Sequence, residues 1–340
     1  MFEKVTWRMC HSWGSRPQFI YLQRLSWGRM LAPKKDACCT EEDVLYCFRL
    51  LLGREPPLDE WQWHKGEIGK NLDVVVSTYL SSLEFKNRNL INPPIKPELV
   101  DLHDFKIYVN PNDLCIGRVI STTKTYESHV TQIMKKFLKR GMTFLDVGAN
   151  VGYYSLLAAS IIGPSGKIIA VEPGQLNVKL LYLSSIINKF NNIDIYPFAA
   201  SDRRGLVSYA DCLNNGTICY QSDPRQLLNL DLVYSEKLDN LVDRVDIIKI
   251  DVEGADYLAL RGANRLLETH PIIFAEFGPP ALQLVSGISG EKYLELLIDA
   301  KYNISVIALD GTIIDCEKDI TKIMKNYRDA KTDHIDIFAS

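Results

Sequence analysis

The chain has 340 residues, 46% of them hydrophobic, and a formal charge of −3, so it can bury the core of one full domain plus something smaller, and it does not fit a general nucleic-acid binder. Its longest apolar stretches, such as 156–163, reach about half of what a bilayer span requires, so no transmembrane segment is expected. The start lacks the pattern of a secretion signal, and eight cysteines without a C-x-x-C pair or a histidine at zinc-ligand spacing read as reduced thiols, which together predict a cytoplasmic protein.

Residues 1–39 are basic and tryptophan-bearing, with Trp7, Trp13 and Trp27 set among Arg8, Arg16, Arg24, Arg29, Lys34 and Lys35. They read as a poorly ordered extension. The alternative is peripheral contact with a membrane surface, since Arg and Trp suit an interfacial helix, although Pro17 and the glycines oppose one.

Residues 40–91 read as a small helical module. Thr40 caps a helix with Glu41, Glu42 and Asp43 in its first turn and Val44, Leu45, Phe48, Leu51 and Leu52 on one face, and Gly53 stops it. Helical segments at 60–66 and 72–85 follow, and the proline-rich 92–97 is a linker.

From 92 to 340 the pattern is that of one α/β domain with its core at 125–340. A small sheet near 105–109 and a helix at 127–140 lead into strands at 143–147, 167–172, 193–199, 245–251, 271–276, 303–309 and 334–338. Helices at 152–162, 176–189, 255–268 and 290–300 alternate with them. Such alternation predicts a mostly parallel, seven-stranded sheet with helices on both faces. Residues 201–244 break the rhythm and read as an inserted hairpin plus a helix that could cover a substrate.

The stretch Phe144-Leu-Asp-Val-Gly-Ala-Asn-Val-Gly152 is an apolar strand running into a glycine-rich turn that opens a helix, the place where such folds bind a nucleoside. A dinucleotide fingerprint needs a glycine where Asn150 stands, which disfavours pyrophosphate. Asp146 suits a cationic ligand, and S-adenosylmethionine carries both an ammonium and a sulfonium. Glu172, ending the next strand, is placed to accept ribose hydroxyls.

Ligands of open α/β sheets collect at the carboxyl ends of the strands, which here carry Asp146, Gly148, Asn150, Glu172, the segment Ala200-Ser201-Asp202, the pair Asp251 and Glu253, and Glu276. So many acids at one rim suit a cationic cofactor, a ribose diol and a base. Asp251, Glu253 and Glu276 are the candidate catalytic residues; the competing readings are helix capping for Asp251 and an ion pair with Lys249 or an arginine for Glu276. His129, His270, Arg203, Arg204 and Arg225 read as structural or solvated. No residue pattern specifies a metal ligand set, and a divalent ion is carried only as an aid to deprotonation.

At these residues the chain resembles the FkbM-type family of S-adenosylmethionine-dependent methyltransferases. The resemblance rests on Tyr126-Glu127, the 144–155 stretch, Val171-Glu-Pro173, Ala199-Ala-Ser-Asp202 and Ile248-Lys-Ile-Asp-Val-Glu-Gly-Ala255, with Asp256 in place of the family's glutamate. It implies a Rossmann-like fold, cofactor contacts from Glu127, Asp146, Gly148, Asn150, Gly152, Glu172, Ala200, Ser201, Asp202 and Asp251, and O-methylation of a sugar, glycolipid or natural product. The helical module, with Phe48-Arg-Leu-Leu-Leu-Gly-Arg-Glu55, resembles one that accompanies enzymes of bacterial surface-polysaccharide loci. Two rivals remain at this point: a recruitment protein that binds cofactor without turnover while the module docks a protein partner, and an NAD-dependent oxidoreductase.

Overall fold

A computed structural model describes residues 37–88, 96–212, 215–219 and 230–340. Residues 1–36 of the extension, most of the linker, Arg225 and residues 213–214 and 220–229 of the insert lie outside these residues. The chain divides into two compact units, with the boundary between 95 and 96.

In the first unit Thr40 and Asp43 form a reciprocal cap. The Thr40 hydroxyl accepts from the Asp43 amide at 3.2 Å and the Asp43 carboxylate accepts from the Thr40 amide at 2.8 Å. Helix Glu41–Tyr46 loosens into a π-turn, Cys47–Leu52, that ends at Gly53 in the left-handed region. Helices Leu58–His64, Leu72–Ser81 and Leu83–Asn87 follow. The expected helix at 72–85 is broken at Ser82, whose extended backbone lets its hydroxyl cap the second piece. Val44, Phe48, Val75, Tyr79 and Phe85 form the core, and Arg54 clamps the carboxylates of Glu60 and Glu84.

The second unit opens with an antiparallel pair, β1 (Glu98–Asp101) and β2 (Lys106–Val109), then an unexpected helix Gly117–Thr123 and helix Ser128–Phe137. β3 (Thr143–Val147), helix Tyr153–Ile162, β4 (Lys167–Val171), helix Gln175–Asn188 and β5 (Ile193–Tyr196) follow in βαβ order. The insert contributes β6 (Ala199–Ala200), β7 (Gly205–Cys212), β8 (Asn215–Cys219) and β9 (Asp231–Glu236), a separate sheet ordered β6-β9-β7-β8. After β10 (Ile247–Ile250) the expected long helix is two, Asp256–Arg261 and Asn264–Glu268. They part at Gly262, where an added Cβ would lie 2.1 Å from the Ser201 carbonyl oxygen. β11 (Ile272–Phe277), helices Pro279–Val285 and Gly290–Asp299, β12 (Ile304–Ile307), β13 (Ile313–Glu317), helix Ile320–Ala330 and β14 (Ile335–Ala339) complete the unit.

The main sheet runs β13-β12-β14-β11-β10-β3-β4-β5 and has eight strands, not the seven expected from alternation. The extra one, β13, is a hairpin partner of β12 at the edge. Its side chains are mostly half-buried or exposed, so it shows none of the continuous apolar run that marked its neighbours. The five strands from β11 to β5 pair in parallel; β14 enters antiparallel between β11 and β12.

Side chains alternate between the faces. Leu145, Val147, Ile169, Ile248, Ile250 and Ile273 meet the helices of the C-terminal half, whereas Phe144, Ile168, Ala170, Ile247 and Phe274 meet helices Ser128–Phe137 and Tyr153–Ile162. The second face is the one that carries the polar residues of the site. No helix of the described residues is long and apolar enough to cross a membrane.

Candidate functional site

The register aligns Ala170, Asp146, Lys249, Phe274 and Phe338 across β4, β3, β10, β11 and β14. Two residues on, towards the carboxyl ends of the parallel strands and on the same face, come Glu172, Gly148, Asp251, Glu276 and, from β14, Asp336, which pairs with Glu276. A row of four carboxylates is thus interrupted only at Gly148. Gly148 has φ 80°, and a Cβ there would lie 1.9 Å from the Asp251 carbonyl oxygen, so the turn closes against the neighbouring strand only with glycine. Gly152, φ 89°, instead makes room for Leu181 on the adjacent helix.

Asp146 lies one row below the rim, 2% exposed, and accepts from the Ser155 hydroxyl at 2.6 Å. Burial pushes its pKa up to about 6, against the Ser155 bond and the Lys249 charge. Glu172 stitches the neighbouring turns together, accepting from the amides of Asn150 at 2.9 Å and Gly174 at 2.8 Å and from the Asn177 side chain at 3.4 Å. Burial raises it to about 7 despite these donors. A ribose diol there shares a carboxylate already engaged by the loop.

Lys249 is 2% exposed, with its ammonium 3.3 Å from Asp251 and 5.2 Å from the centre of the Tyr154 ring. Burial works against that charge, but Asp251, Glu127, Asp336 and Glu276 prevail and its pKa is raised. Tyr154 donates to Glu127 at 2.6 Å. Burial raises Glu127, with Lys249 opposing. Glu127 sits at φ 38° just before helix Ser128–Phe137 rather than inside the helix expected from 127.

Glu276 pairs with His334 at 3.6 Å, not with Lys249, and burial together with Asp251 and Glu253 pushes its carboxyl well above the usual range. His129 meets Asp336 at 2.7 Å and His334 meets Asp333 at 2.8 Å. Burial lowers both imidazoles, yet these carboxylates leave each with a raised pKa. Glu253, at φ 53°, lies in the turn after β10, and its carbonyl accepts from Thr217 of the second sheet. Asp256, 3% exposed, closes that turn by accepting from the amides of Val252 and Gly254.

Asp251, Glu276 and Glu127 therefore converge with Lys249, Asp336, His129 and His334. The segment 200–202 lies elsewhere: Ala200 joins the core of the opposite face, and the Ser201 amide bonds to the Glu236 carbonyl. The fully buried Ser201 hydroxyl has no hydrogen-bond partner among the described residues. Sequence reasoning missed His334 and Asp336, although their alternation with Phe338 in a buried strand was the signal that could have found them. No group of three metal-ligating side chains among the described residues is arranged to hold an ion.

A glycine-hinged turn at the switch of a parallel sheet, bordered by acids, fits a cationic nucleoside, and the class defined is that of S-adenosylmethionine-dependent methyltransferases. Residues 146–288 match the methyltransferase FkbM domain, and 101–185 match protein-L-isoaspartate(D-aspartate) O-methyltransferase. No curated protein matches the chain. Among solved structures, the chain is similar to fibrillarin of Aeropyrum pernix bound to S-adenosyl-L-methionine, with 18% identity, 63% of this chain and 74% of that one covered, and TM-score 0.38. It is also similar to an FkbM methyltransferase of Methylobacillus flagellatus, with 15% identity, 86% and 58% covered, and TM-score 0.37.

Proposed function

We propose that the unit from 92 to 340 methylates a hydroxyl oxygen of a sugar, glycolipid or natural product, with S-adenosylmethionine as donor. The observation that carries this reading is the carboxylate row Asp251, Glu276 and Asp336 beside the Gly148 turn. When bound, the donor supplies a methyl group activated by a sulfonium. The residues then have two tasks, to hold the acceptor oxygen behind that methyl and to take its proton. Asp251, paired with Lys249, would take the proton of the acceptor hydroxyl. Glu276, whose carboxyl is pushed well above the usual range by burial and its acidic neighbours, orients the acceptor by hydrogen bonding, and Glu253 lies at the turn beside it.

Glu127, Asp146, Gly148, Asn150, Gly152 and Glu172 hold the cofactor on this reading, and Ala200, Ser201 and Asp202, assigned to it by the resemblance, lie away from that cluster. The module 40–91 docks a partner in the same pathway, and the free thiols of Cys38, Cys39, Cys47, Cys115 and Cys316 support a cytoplasmic setting. The test is transfer of radiolabel from S-adenosylmethionine to fractionated cell-envelope extract. Labelled carbohydrate or glycolipid is the expected product, and turnover that survives both Asp251→Asn and Glu276→Gln with cofactor binding intact refutes the assignment.

A further inference from the structure

Lys249 stands in a strand whose four residues are all buried, where an aliphatic side chain would carry no desolvation cost. Its compensation comes from the site itself, through Asp251 at 3.3 Å and the Tyr154 ring at 5.2 Å, with Tyr154 in turn bonded to Glu127. The charge is therefore placed at the rim where the cofactor ends. In the sheet order Gly148 lies between Glu172 and Asp251, so a nucleoside with its ribose at Glu172 extends its other end across Gly148 towards Asp251. The sulfur that joins the ribose to the amino-acid end would be a sulfonium in the methyl donor and a neutral thioether in the product, while the amino-acid end is the same in both.

We infer that Lys249 is a specificity-determining residue that discriminates between the two cofactor forms by charge, competing with the sulfonium for Asp251 and so favouring the neutral product. The inference rests on the methyltransferase reading above. With the donor in place, Asp251 serves two cations; after transfer it serves one. Repulsion present before the reaction and absent after it assists the transfer, because only interactions that change along the reaction alter its rate. The other charges facing Lys249, namely Glu127 from the segment before helix Ser128–Phe137, Glu276 from β11 and Asp336 from β14, are common to both forms.

Titration calorimetry of the full chain with S-adenosylmethionine and with S-adenosylhomocysteine tests this. A unit charge competing for the same carboxylate inside a protein changes affinity by about tenfold or more. Lys249→Met is expected to shift the affinity ratio towards S-adenosylmethionine by at least about tenfold, leaving S-adenosylhomocysteine within about threefold, whereas Lys249→Arg keeps the wild-type ratio. An unchanged ratio in a Lys249→Met protein with a cooperative melt overturns the inference. If that variant does not fold, the wild type decides: tighter binding of S-adenosylhomocysteine supports the inference, and equal binding of the two or any preference for S-adenosylmethionine overturns it. Failure of both nucleosides to bind the wild type overturns the cofactor assignment itself and this inference with it.

Discussion

Asp256 gives a prediction that separates burial from ordinary surface titration. Its carboxyl is 3% exposed, closes the turn that carries Asp251 and Glu253, and is pushed up to about 7 by burial first and by the Asp251 charge second. The folded protein holds a proton that the unfolded chain has already released above a pKa of about 3.9, so stability falls as pH rises between those values. Between pH 5 and pH 8 the loss from this group alone comes to about 2–3 kcal/mol. Asp256→Asn cannot ionise. Relative to wild type it should therefore gain that amount over the same interval, a change in melting-temperature gap of roughly 5–10 °C for a unit of this size. Asp146, Glu172, His129 and His334, all with raised pKa values, also favour low pH, but they do so in both proteins and cancel in the difference. Thermal melts at pH 5, 6, 7 and 8 provide the measurement. A gap that stays constant with pH, or closes as pH rises, refutes the account of a buried, proton-holding Asp256.

Gly148→Ala places a Cβ 1.9 Å from the Asp251 carbonyl oxygen at φ 80°, so it should cost on the order of 2–4 kcal/mol in chemical unfolding and weaken S-adenosylhomocysteine binding in calorimetry. Arg54→Met releases Glu60 and Glu84 together; because all three side chains are about one-third exposed or more, the expected loss is only about 1–2 kcal/mol, read as faster hydrogen exchange in helix Leu58–His64. Thr40→Ala removes the reciprocal cap and should cost about 1 kcal/mol, with exchange increasing first in helix Glu41–Tyr46.

The turn at 144–152, the parallel strands around it and the acids at their ends were legible in the chain because each depends on a few consecutive residues. Apolar runs make buried strands, glycines permit the bend, and alternation of strands and helices imposes parallel order. The helix breaks at Ser82 and Gly262 were less accessible, since the second depends on the Ser201 backbone arriving from another part of the fold. β13 escaped because an edge strand with one partner lacks the apolar signature of a central one.

The chemistry of the rim belongs to the tertiary structure. Lys249 reads in sequence as an interruption and as an ion-pair candidate for Glu276, and it becomes the counter-ion of Asp251 when register sets it beside Asp146 and below Asp251. Asp336 and His334 come from the end of the chain and reach Glu276 and His129 because the last strand inserts between β11 and β12. Local sequence determines what each strand presents at its end, but strand order and register decide which of those ends face one another. The raised carboxyls arise from that meeting, since burial and charge act through space and not along the chain.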